Sequence, residues 1–226
     1  MGNKIIVDGH LQAGIWNWRT AAFIDHIPTM GTTPFILKVS ENEVVTRFYD
    51  DHLRIVNINN VNNMQLARSM YGHRSMVNCA LVVEGKIISG SSDNTIIIWN
   101  NQGNVESKIT LPYDNGGVTV LTPLSENRII VGSGNAYVSI YNLKTNQIEY
   151  NLRTNMTGSG NLGLIYSIVL LDEGNIVCKS LGKRMFMVDL NTNNIWIMDE
   201  GINSLLALPN NSLVTGSSDG IVKIWE

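Results

Sequence analysis

GSSDNTIIIW, residues 90–99, returns near the end of the chain as GSSDGIVKIW, residues 216–225. Both stretches run from a glycine through a short polar turn into an apolar-rich segment that ends at a tryptophan, Trp99 or Trp225. A polar turn followed by such a segment is typical of a β-hairpin. The recurrence indicates that the chain repeats one small β unit.

Four weaker copies of the same pattern occupy the rest of the chain. They are KIIVDGHLQAGIWNW (4–18), EVVTRFYDDHLRIV (43–56), RIIVGSGNAYVSIY (128–141) and NIVCKSLGKRMFMV (175–188). The six units end near Trp18, Val56, Trp99, Tyr141, Val188 and Trp225, at spacings of 38, 43, 42, 47 and 37 residues. A period of about 40 residues built from paired strands predicts the blades of a β-propeller.

The third unit fits four strands. VNCALVV (77–83), KIISG (86–90) and TIIIW (95–99) read as largely buried strands, and VESKITL (105–111) alternates like an outer strand with one wet face. No stretch of the chain combines helical spacing with a cap and sufficient length. We therefore predict an all-β fold, with a single domain over residues 1–226 and about six four-stranded blades.

The residues around Trp99 resemble a WD repeat. Gly72-His73 precedes the first strand, Ser89 lies in the second, Asp93 lies in the turn, and Trp99 closes the third. The resemblance implies that His73, Ser89, Asp93 and Trp99 form one structural hydrogen-bonded set. Such a set satisfies polar groups that would otherwise be buried without partners.

The resemblance covers almost the whole chain but weakens away from Trp99. The last unit keeps Thr215, Asp219 and Trp225, for which we expect the same structural role, but it has no Gly-His pair. In the unit that ends at Val188, Gly182 replaces the turn acid. We predict this blade to be the loosest.

The two ends of the chain do not fit the usual closure of a WD-repeat ring. Residues 4–18 read as second and third strands without a first strand, and residues 221–225 read as a third strand without a fourth. One interpretation, which we favour, is an incomplete ring whose open edges at 4–8 and 221–225 seek a partner strand and promote self-association. The other makes residues 4–8 a closing outer strand and residues 9–30 irregular.

Composition and charge narrow the class of partner. The 226 residues carry a net charge of −3, and without a basic stripe we expect no nucleic-acid partner. The sequence shows no secretory signal and no run of eighteen apolar residues, so we expect no membrane partner and a cytoplasmic location, with a nuclear one also compatible. Cys79 and Cys178 are predicted to be small buried hydrophobes rather than a disulfide.

Two features could suggest chemistry. Residues 158–163, GSGNLG, match G-x-G-x-x-G, but LIYSIVLL (164–171) reads as a strand instead of the helix that a dinucleotide site needs. We therefore predict a mobile loop at residues 154–163 that binds no dinucleotide. His10, His26 and His52 lack metal-ligand spacing, and two cysteines are too few for a zinc site. No metal, cofactor or catalytic residue is predicted.

The resemblance implies a protein-binding scaffold, or the recognition part of a larger complex. In this family the contact positions flank the start of each first strand and precede the turn acid. Transferred to this chain, they are Phe35, Tyr49, Met76, Asn78, Ser92, Tyr166, Asn203 and Ser218. We favour Tyr49, Met76 and Tyr166, since aromatic residues and methionine supply large contact areas. The alternatives are a propeller enzyme with its site at the central channel and a degenerate copy with a purely structural role.

Overall fold

The computed structural model describes residues 4–7, 13–17, 19–27, 35–48, 52–59, 68–112, 116–154, 163–181 and 184–226. Within these ranges the chain is all-β, with 22 strands and no helix, and therefore none that could span a membrane. The strands are β1 (Lys4–Val7), β2 (Ala13–Asn17), β3 (Ala22–Ile27), β4 (Ile36–Lys38), β5 (Glu43–Arg47), β6 (Leu53–Asn57), β7 (Arg68–Met70), β8 (Val77–Val83), β9 (Lys86–Ser91), β10 (Thr95–Trp99), β11 (Val105–Thr110), β12 (Val118–Ser125), β13 (Arg128–Ser133), β14 (Tyr137–Asn142), β15 (Gln147–Arg153), β16 (Ile165–Leu170), β17 (Asn175–Ser180), β18 (Arg184–Asp189), β19 (Ile195–Glu200), β20 (Ile202–Ala207), β21 (Leu213–Ser217) and β22 (Val222–Trp225).

These strands form two compact units, Met1–Thr110 and Leu111–Glu226, each with three antiparallel sheets. The first unit has the strand orders β1-β2-β3, β4-β5-β6-β7 and β8-β9-β10-β11. The second has β12-β13-β14-β15, β16-β17-β18-β19 and β20-β21-β22. We number the sheets first to sixth in chain order. Four of them are the four-stranded meanders predicted for propeller blades, and the first and sixth contain three described strands each.

The recurring sequence pattern corresponds to one hairpin with one register. The residue that closes the pattern pairs with the first apolar residue of the preceding strand. These pairs are Trp99 with Ile87, Tyr141 with Ile129, Val188 with Ile176, Val56 with Val44, and Trp225 with Leu213. Because side chains alternate along a strand, a shared register places equivalent residues on the same face of each sheet.

The turn of this hairpin holds one residue in left-handed backbone. Asn94, Ala136 and Gly220 occupy that position, with φ angles of 61°, 62° and 83°. Glycine and asparagine adopt this conformation readily, whereas the β-carbon of an alanine makes it unfavourable by roughly 1–2 kcal/mol. At Ala136 the turn must therefore be held in place by its surroundings.

In the first unit, apolar clusters join neighbouring sheets. One cluster connects the second sheet to the third through Val45, Leu53, Ile55, Met70, Val77, Ile87, Ile97 and Trp99. Another connects the first sheet to the second through Ala13, Ile15, Ile27, Val44, Phe48, Val56 and Ile58. A polar link accompanies the apolar contact between the second and third sheets, since Arg47 Nη1 donates to the Val77 carbonyl at 3.0 Å.

The second unit is built in the same way. Buried residues that include Ile130, Val138, Ile165 and Phe186 join the fourth and fifth sheets, and Val177, Met185, Ile202 and Leu213 join the fifth and sixth. Side chains again donate to carbonyls of the next sheet. These bonds are Thr119 Oγ1 to Ile165 O at 2.6 Å, Thr122 Oγ1 to Ile168 O at 2.9 Å, and Lys179 Nζ to Asn203 O at 2.8 Å.

The structure decides between the two interpretations of residues 4–30. Strands β2 and β3 occupy Ala13–Asn17 and Ala22–Ile27, so the interpretation that leaves residues 9–30 irregular is wrong. The sequence pattern did not predict β3. Its pairing with β2 shifts register between Ile15 and Trp16, so apolar and polar residues do not alternate regularly along β3. Whether and how the ring closes stays a prediction.

Several predictions fall outside the described residues. They concern the end of the first unit at Trp18, the contact position at Tyr49, the acid position at Gly182, and residues 155–162 of the glycine-containing loop. On the near side of that loop, Thr154 is buried and both its N–H and its hydroxyl donate to the Ala136 carbonyl at 2.8 Å. On the far side, β16 is the strand that the sequence predicts.

Candidate functional site

A buried chain of hydrogen bonds links the strands of the third sheet. His73 Nε2 lies 2.7 Å from Ser89 Oγ, and the indole N–H of Trp99 donates to the same oxygen at 2.7 Å. An indole N–H can only donate, so the Ser89 hydroxyl has its own hydrogen free for His73. This arrangement suits a neutral imidazole that carries its proton on Nδ1.

Asp93 binds the other side of the imidazole. His73 Nδ1 lies 3.3 Å from both carboxylate oxygens of Asp93 and 3.0 Å from Thr95 Oγ1. Asp93 also accepts from the backbone N–H of Arg74 at 2.7 Å and of Thr95 at 3.0 Å. The carboxylate thus ties the turn between β9 and β10 to the segment that leads into β8.

Sequence reasoning missed two members of this network. The Thr95 hydroxyl donates to Asp93, and Ser91 Oγ accepts from the Asp93 N–H at 3.1 Å while donating to the Ser75 carbonyl at 3.0 Å. The signal was present as Ser91-x-Asp93-x-Thr95, a spacing at which short polar side chains bond the backbone two residues away.

Electrostatics fix the charge states within the network. Burial lowers the pKa of His73 below its ordinary 6.5, against the opposing pull of the Asp93 carboxylate, and Lys108 and His52 lower it further. Burial raises the pKa of Asp93, but hydrogen bonds from Thr95, from the Arg74 N–H and from His73 outweigh it and hold this pKa below 3.8. Near neutral pH the pair is therefore a neutral imidazole and a carboxylate, which suits a structural role. Across the part of the chain that the structure describes, no group of three His, Cys, Asp or Glu side chains could hold a metal ion.

The sixth sheet keeps a reduced version of the network. Trp225 Nε1 donates to Thr215 Oγ1 at 3.0 Å, as Trp99 does to Ser89. Asp219 accepts from the Ser217 hydroxyl and from the Ile221 N–H, but its side chain is exposed. Ile221 stands where the third sheet has Thr95, so this turn lacks the equivalent of the Thr95 hydroxyl, and the Ser217 hydroxyl bonds the acid instead.

The fourth and fifth sheets replace the network with other side chains. In the fourth, Tyr141 stands in place of Trp99 and Val131 in place of Ser89, and the buried Tyr141 hydroxyl has no hydrogen-bond partner among the described residues. In the fifth, the free thiol of Cys178 takes the position of Ser89 and is buried, whereas Cys79 in the third sheet is half-buried. Burial raises the pKa of both thiols.

Three of the predicted contact positions come together at one end of the third sheet. The Ser92 N–H donates to the Met76 carbonyl at 2.9 Å, and Asn78 Nδ2 donates to Ser92 Oγ at 2.9 Å. Met76 and Ser92 are exposed. In the same unit, Phe35 is half-buried and packs against the core cluster of the second and third sheets, which leaves less of its ring for a partner.

The predicted contact positions of the second unit are also exposed. Tyr166 is 51% exposed, and the ammonium of Lys179 lies 5.9 Å from the centre of its ring. Lys179 also bonds the carbonyl of the exposed residue Asn203. Ser218 is exposed, and its N–H donates to the Gly201 carbonyl at 3.2 Å.

Leu181 is a surface residue that sequence reasoning did not select. It is 58% exposed, and its N–H donates to the Leu164 carbonyl at 2.8 Å, as the Ser92 N–H does to Met76. The rule that selects the residue before the turn acid passed over it because its unit has no acid at that position. We call Tyr166, Lys179, Leu181 and Asn203 the Tyr166 patch.

Comparison with known proteins identifies the repeat. The family model described as WD domain, G-beta repeat matches residues 64–100 and 195–226, the segments that end in the two strongest copies of the pattern. In these two segments the chain is similar to a WD repeat. WD-repeat propellers generally act as non-enzymatic modules that bind other proteins.

A curated relative and two solved structures are also similar to this chain. A WD repeat-containing protein 55 homolog from Dictyostelium discoideum is 23% identical over 187 residues, covering 80% of this chain and 43% of the relative. This chain thus spans less than half the length of that relative. A computationally designed protein, Ika8, matches with a TM-score of 0.74 at 18% identity over 99% of this chain and 68% of its own.

The WD40 β-propeller domain of Doa1 matches with a TM-score of 0.75 at 17% identity, over 100% of this chain and 75% of its own. At such low identity the two solved structures show the fold alone. That fold is the β-propeller predicted from the repeat.

Proposed function

We propose that this chain is a non-enzymatic protein-binding module, and that the Tyr166 patch is one of its contact surfaces. The supporting observation is the exposure of two large apolar side chains, Tyr166 and Leu181, at the same end of the fifth sheet. Tyr166 lies near the start of β16, and Leu181 directly follows β17, which pairs antiparallel with β16. Large apolar side chains exposed together, with polar neighbours around them, are typical of protein interfaces.

The polar members of the patch suit a peptide ligand. Lys179 lies beside the Tyr166 ring and is held by its bond to the Asn203 carbonyl, so its ammonium adds positive charge next to an apolar surface. Such a surface fits a segment that presents an apolar side chain together with a carbonyl or carboxylate oxygen.

The end of the third sheet offers a second contact surface in the first unit. Met76 supplies a flexible apolar side chain, and Asn78 and Ser92, already joined by a hydrogen bond, supply polar groups. Methionine adapts to different partners because its side chain is unbranched and polarisable. We propose that this surface contributes to recognition within a larger complex in the cytoplasm.

Substitution of the Tyr166 patch tests the proposal. The chain carrying Tyr166→Ala and Leu181→Ala, the unmodified chain and a matched control are used as bait, and the co-purified proteins are quantified by mass spectrometry. The control is Ile148→Ala, which removes a partly exposed apolar side chain from the outer strand β15.

We expect a set of proteins that the unmodified chain and the control retain equally and that the double variant loses. With the purified partner, each single substitution should weaken binding by about 1–2 kcal/mol in calorimetry, because exposed aromatic and apolar anchors dominate interfaces. Equal recovery by all three baits, with unfolding curves that coincide, would remove the Tyr166 patch from the proposal.

A further inference from the structure

The outer edges of the four-stranded sheets differ in one respect. In the second, third and fourth sheets, an ion pair joins the first residue of the second strand to the outer strand. These pairs are Glu43 with Arg68 at 2.8 Å, Lys86 with Glu106 at 2.8 Å, and Arg128 with Glu149 at 2.6 Å. Charges on an outer strand discourage the addition of a further strand.

Among the described residues, the fifth sheet has no equivalent ion pair, and the charged residues of its outer strand, Asp199 and Glu200, lie at the C-terminal end of β19. Asn175 takes the position of the second-strand ion-pair residue, and its side chain bonds Asp172 instead. The facing part of β19, Ile195–Met198, reads IWIM and contains no charged residue. Trp196 is 43% exposed and Ile197 is 44% exposed.

The backbone of β19 is open on the same side. Within the described residues β19 is the last strand of its sheet and pairs only with β18, where Trp196 faces Met187 and Ile197 faces Phe186. An edge strand with unpaired N–H and C=O groups and exposed apolar side chains is a template for another strand.

Exposure on both faces defines the strand that fits. Trp196 and Ile197 are consecutive, so they project to opposite faces of the sheet. A strand that covers both must carry apolar side chains at consecutive positions, which an amphipathic strand does not. The β19 strand itself has this property.

We propose that β19 pairs antiparallel with β19 of a second copy of this chain, so that two fifth sheets join edge to edge. A twofold axis perpendicular to the joined sheet maps each residue onto the same face in the second copy. Trp196 then faces the partner's Trp196, and Ile195 faces the partner's Ile197. Cross-strand aromatic and β-branched pairs are among the most stabilising in antiparallel sheets.

This association uses a surface distinct from the Tyr166 patch and does not depend on partner binding. Pairing through one short strand buries little area, and interfaces of that size are weak. We therefore expect a reversible dimer with a dissociation constant on the order of 10⁻⁵ M.

Charge substitution at the twofold axis tests both the dimer and its register. Sedimentation velocity is run from about tenfold below to about tenfold above the expected constant, which moves the population from mostly monomer to mostly dimer. The unmodified chain should show this shift. Trp196→Lys and Trp196→Glu should each be monomeric, because like charges then face each other across the axis. An equimolar mixture of the two should dimerise again, because opposite charges then face each other.

Other substitutions test whether a variant has lost its fold and whether a different edge strand forms the dimer. Trp196→Phe should retain the dimer, and Ile197→Lys should abolish it with an unchanged melting temperature. Val105→Lys on β11 and Val222→Lys on β22 are matched controls on exposed residues of other outer strands, and both should dimerise like the unmodified chain. A chain that stays monomeric at the highest concentration, association that Val222→Lys abolishes and Trp196→Lys does not, or a mixture that stays monomeric would overturn the proposal.

Discussion

The third and fourth sheets share one hairpin register but stabilise it differently. In the third, Trp99, Ser89 and His73 form a continuous hydrogen-bonded chain. In the fourth, the corresponding strand positions hold Tyr141 and Val131, and the Tyr141 hydroxyl is buried without a partner among the described residues. The comparison shows that the apolar pattern and the turn suffice for the sheet, and that the polar network is a separate layer of stabilisation.

The turns show the same contrast. In the third sheet, the Asp93 carboxylate holds the turn from within by accepting from the Thr95 N–H and the Arg74 N–H. In the fourth, Thr154 at the end of β15 donates twice to the carbonyl of Ala136, the left-handed residue. A turn without its acid is thus held by the outer strand.

The largest expected effect is the loss of Asp93. Asp93→Ala should lower the free energy of unfolding by about 2–4 kcal/mol, because it leaves the donors on the buried residues His73 and Thr95, together with the Arg74 N–H, without their acceptor. Denaturant unfolding measures this difference. Asp219→Ala in the sixth sheet is the matched control and should change little, since Asp219 is exposed. A loss under about 0.5 kcal/mol for Asp93→Ala would reject the structural role of the network.

Replacement of the closing tryptophan tests the indole end of the network. Trp99→Phe should lower the free energy of unfolding by about 2 kcal/mol, because it removes buried volume and the donor to Ser89 Oγ. The double variant with Ser89→Ala shows whether the two residues are coupled. If the two single effects simply add, the hydrogen bond between Trp99 and Ser89 is not important for stability.

Acid should weaken the first unit through His73. Its pKa in the folded state is lowered by burial, so below pH 6.5 the unfolded chain binds a proton that the folded chain excludes. Stability should fall as the pH drops below 6.5, with a slope of at most about 1.4 kcal/mol per pH unit for this one proton. Asp93, whose pKa is also lowered, adds a further loss only below pH 3.8.

Denaturant midpoints measured between pH 7.5 and about 5 follow the His73 contribution. His73→Gln should be less stable at neutral pH but should show a shallower decline with acid. The same slope in both proteins would assign the acid sensitivity to other groups.

The smallest expected effect is a gain in stability, and it comes from a substitution in the fourth sheet. Tyr141→Phe should raise the free energy of unfolding by about 0.5–1 kcal/mol, because it removes a buried hydroxyl that makes no hydrogen bond to any described residue. Thermal unfolding of the two proteins side by side measures the gain. Destabilisation by this change would mean that the Tyr141 hydroxyl is satisfied, and the contrast with Trp99 would lose its basis.

Sequence predicted the hairpins because their determinants are local. Alternating apolar residues and a polar turn set the strands, so the copy at residues 128–141 could be found without Trp99 or Asp93. Thr95 was missed because its role depends on the position of Asp93 in space as well as on spacing. Strand β3 was missed because Phe23 and Ile24 are both exposed at a register shift and give no alternation.

The surface was harder to predict than the core. Leu181 and Trp196 lie in sequence patterns that fit either burial or exposure, and only the packing of neighbouring sheets leaves them exposed. The ion pairs at the outer edges join residues about 20 positions apart, such as Lys86 and Glu106, and their pattern becomes visible only when the sheets are compared.

The labelling rates of the two cysteines can measure local opening of the chain. Cys79 lies in the first unit and Cys178 in the second, and burial suppresses the thiolate of each. A disulfide reagent reacts with a thiolate, so each thiol is modified mainly when its own sheet opens. The rates at which Cys79 and Cys178 are labelled therefore report separately on how often each half of the molecule opens.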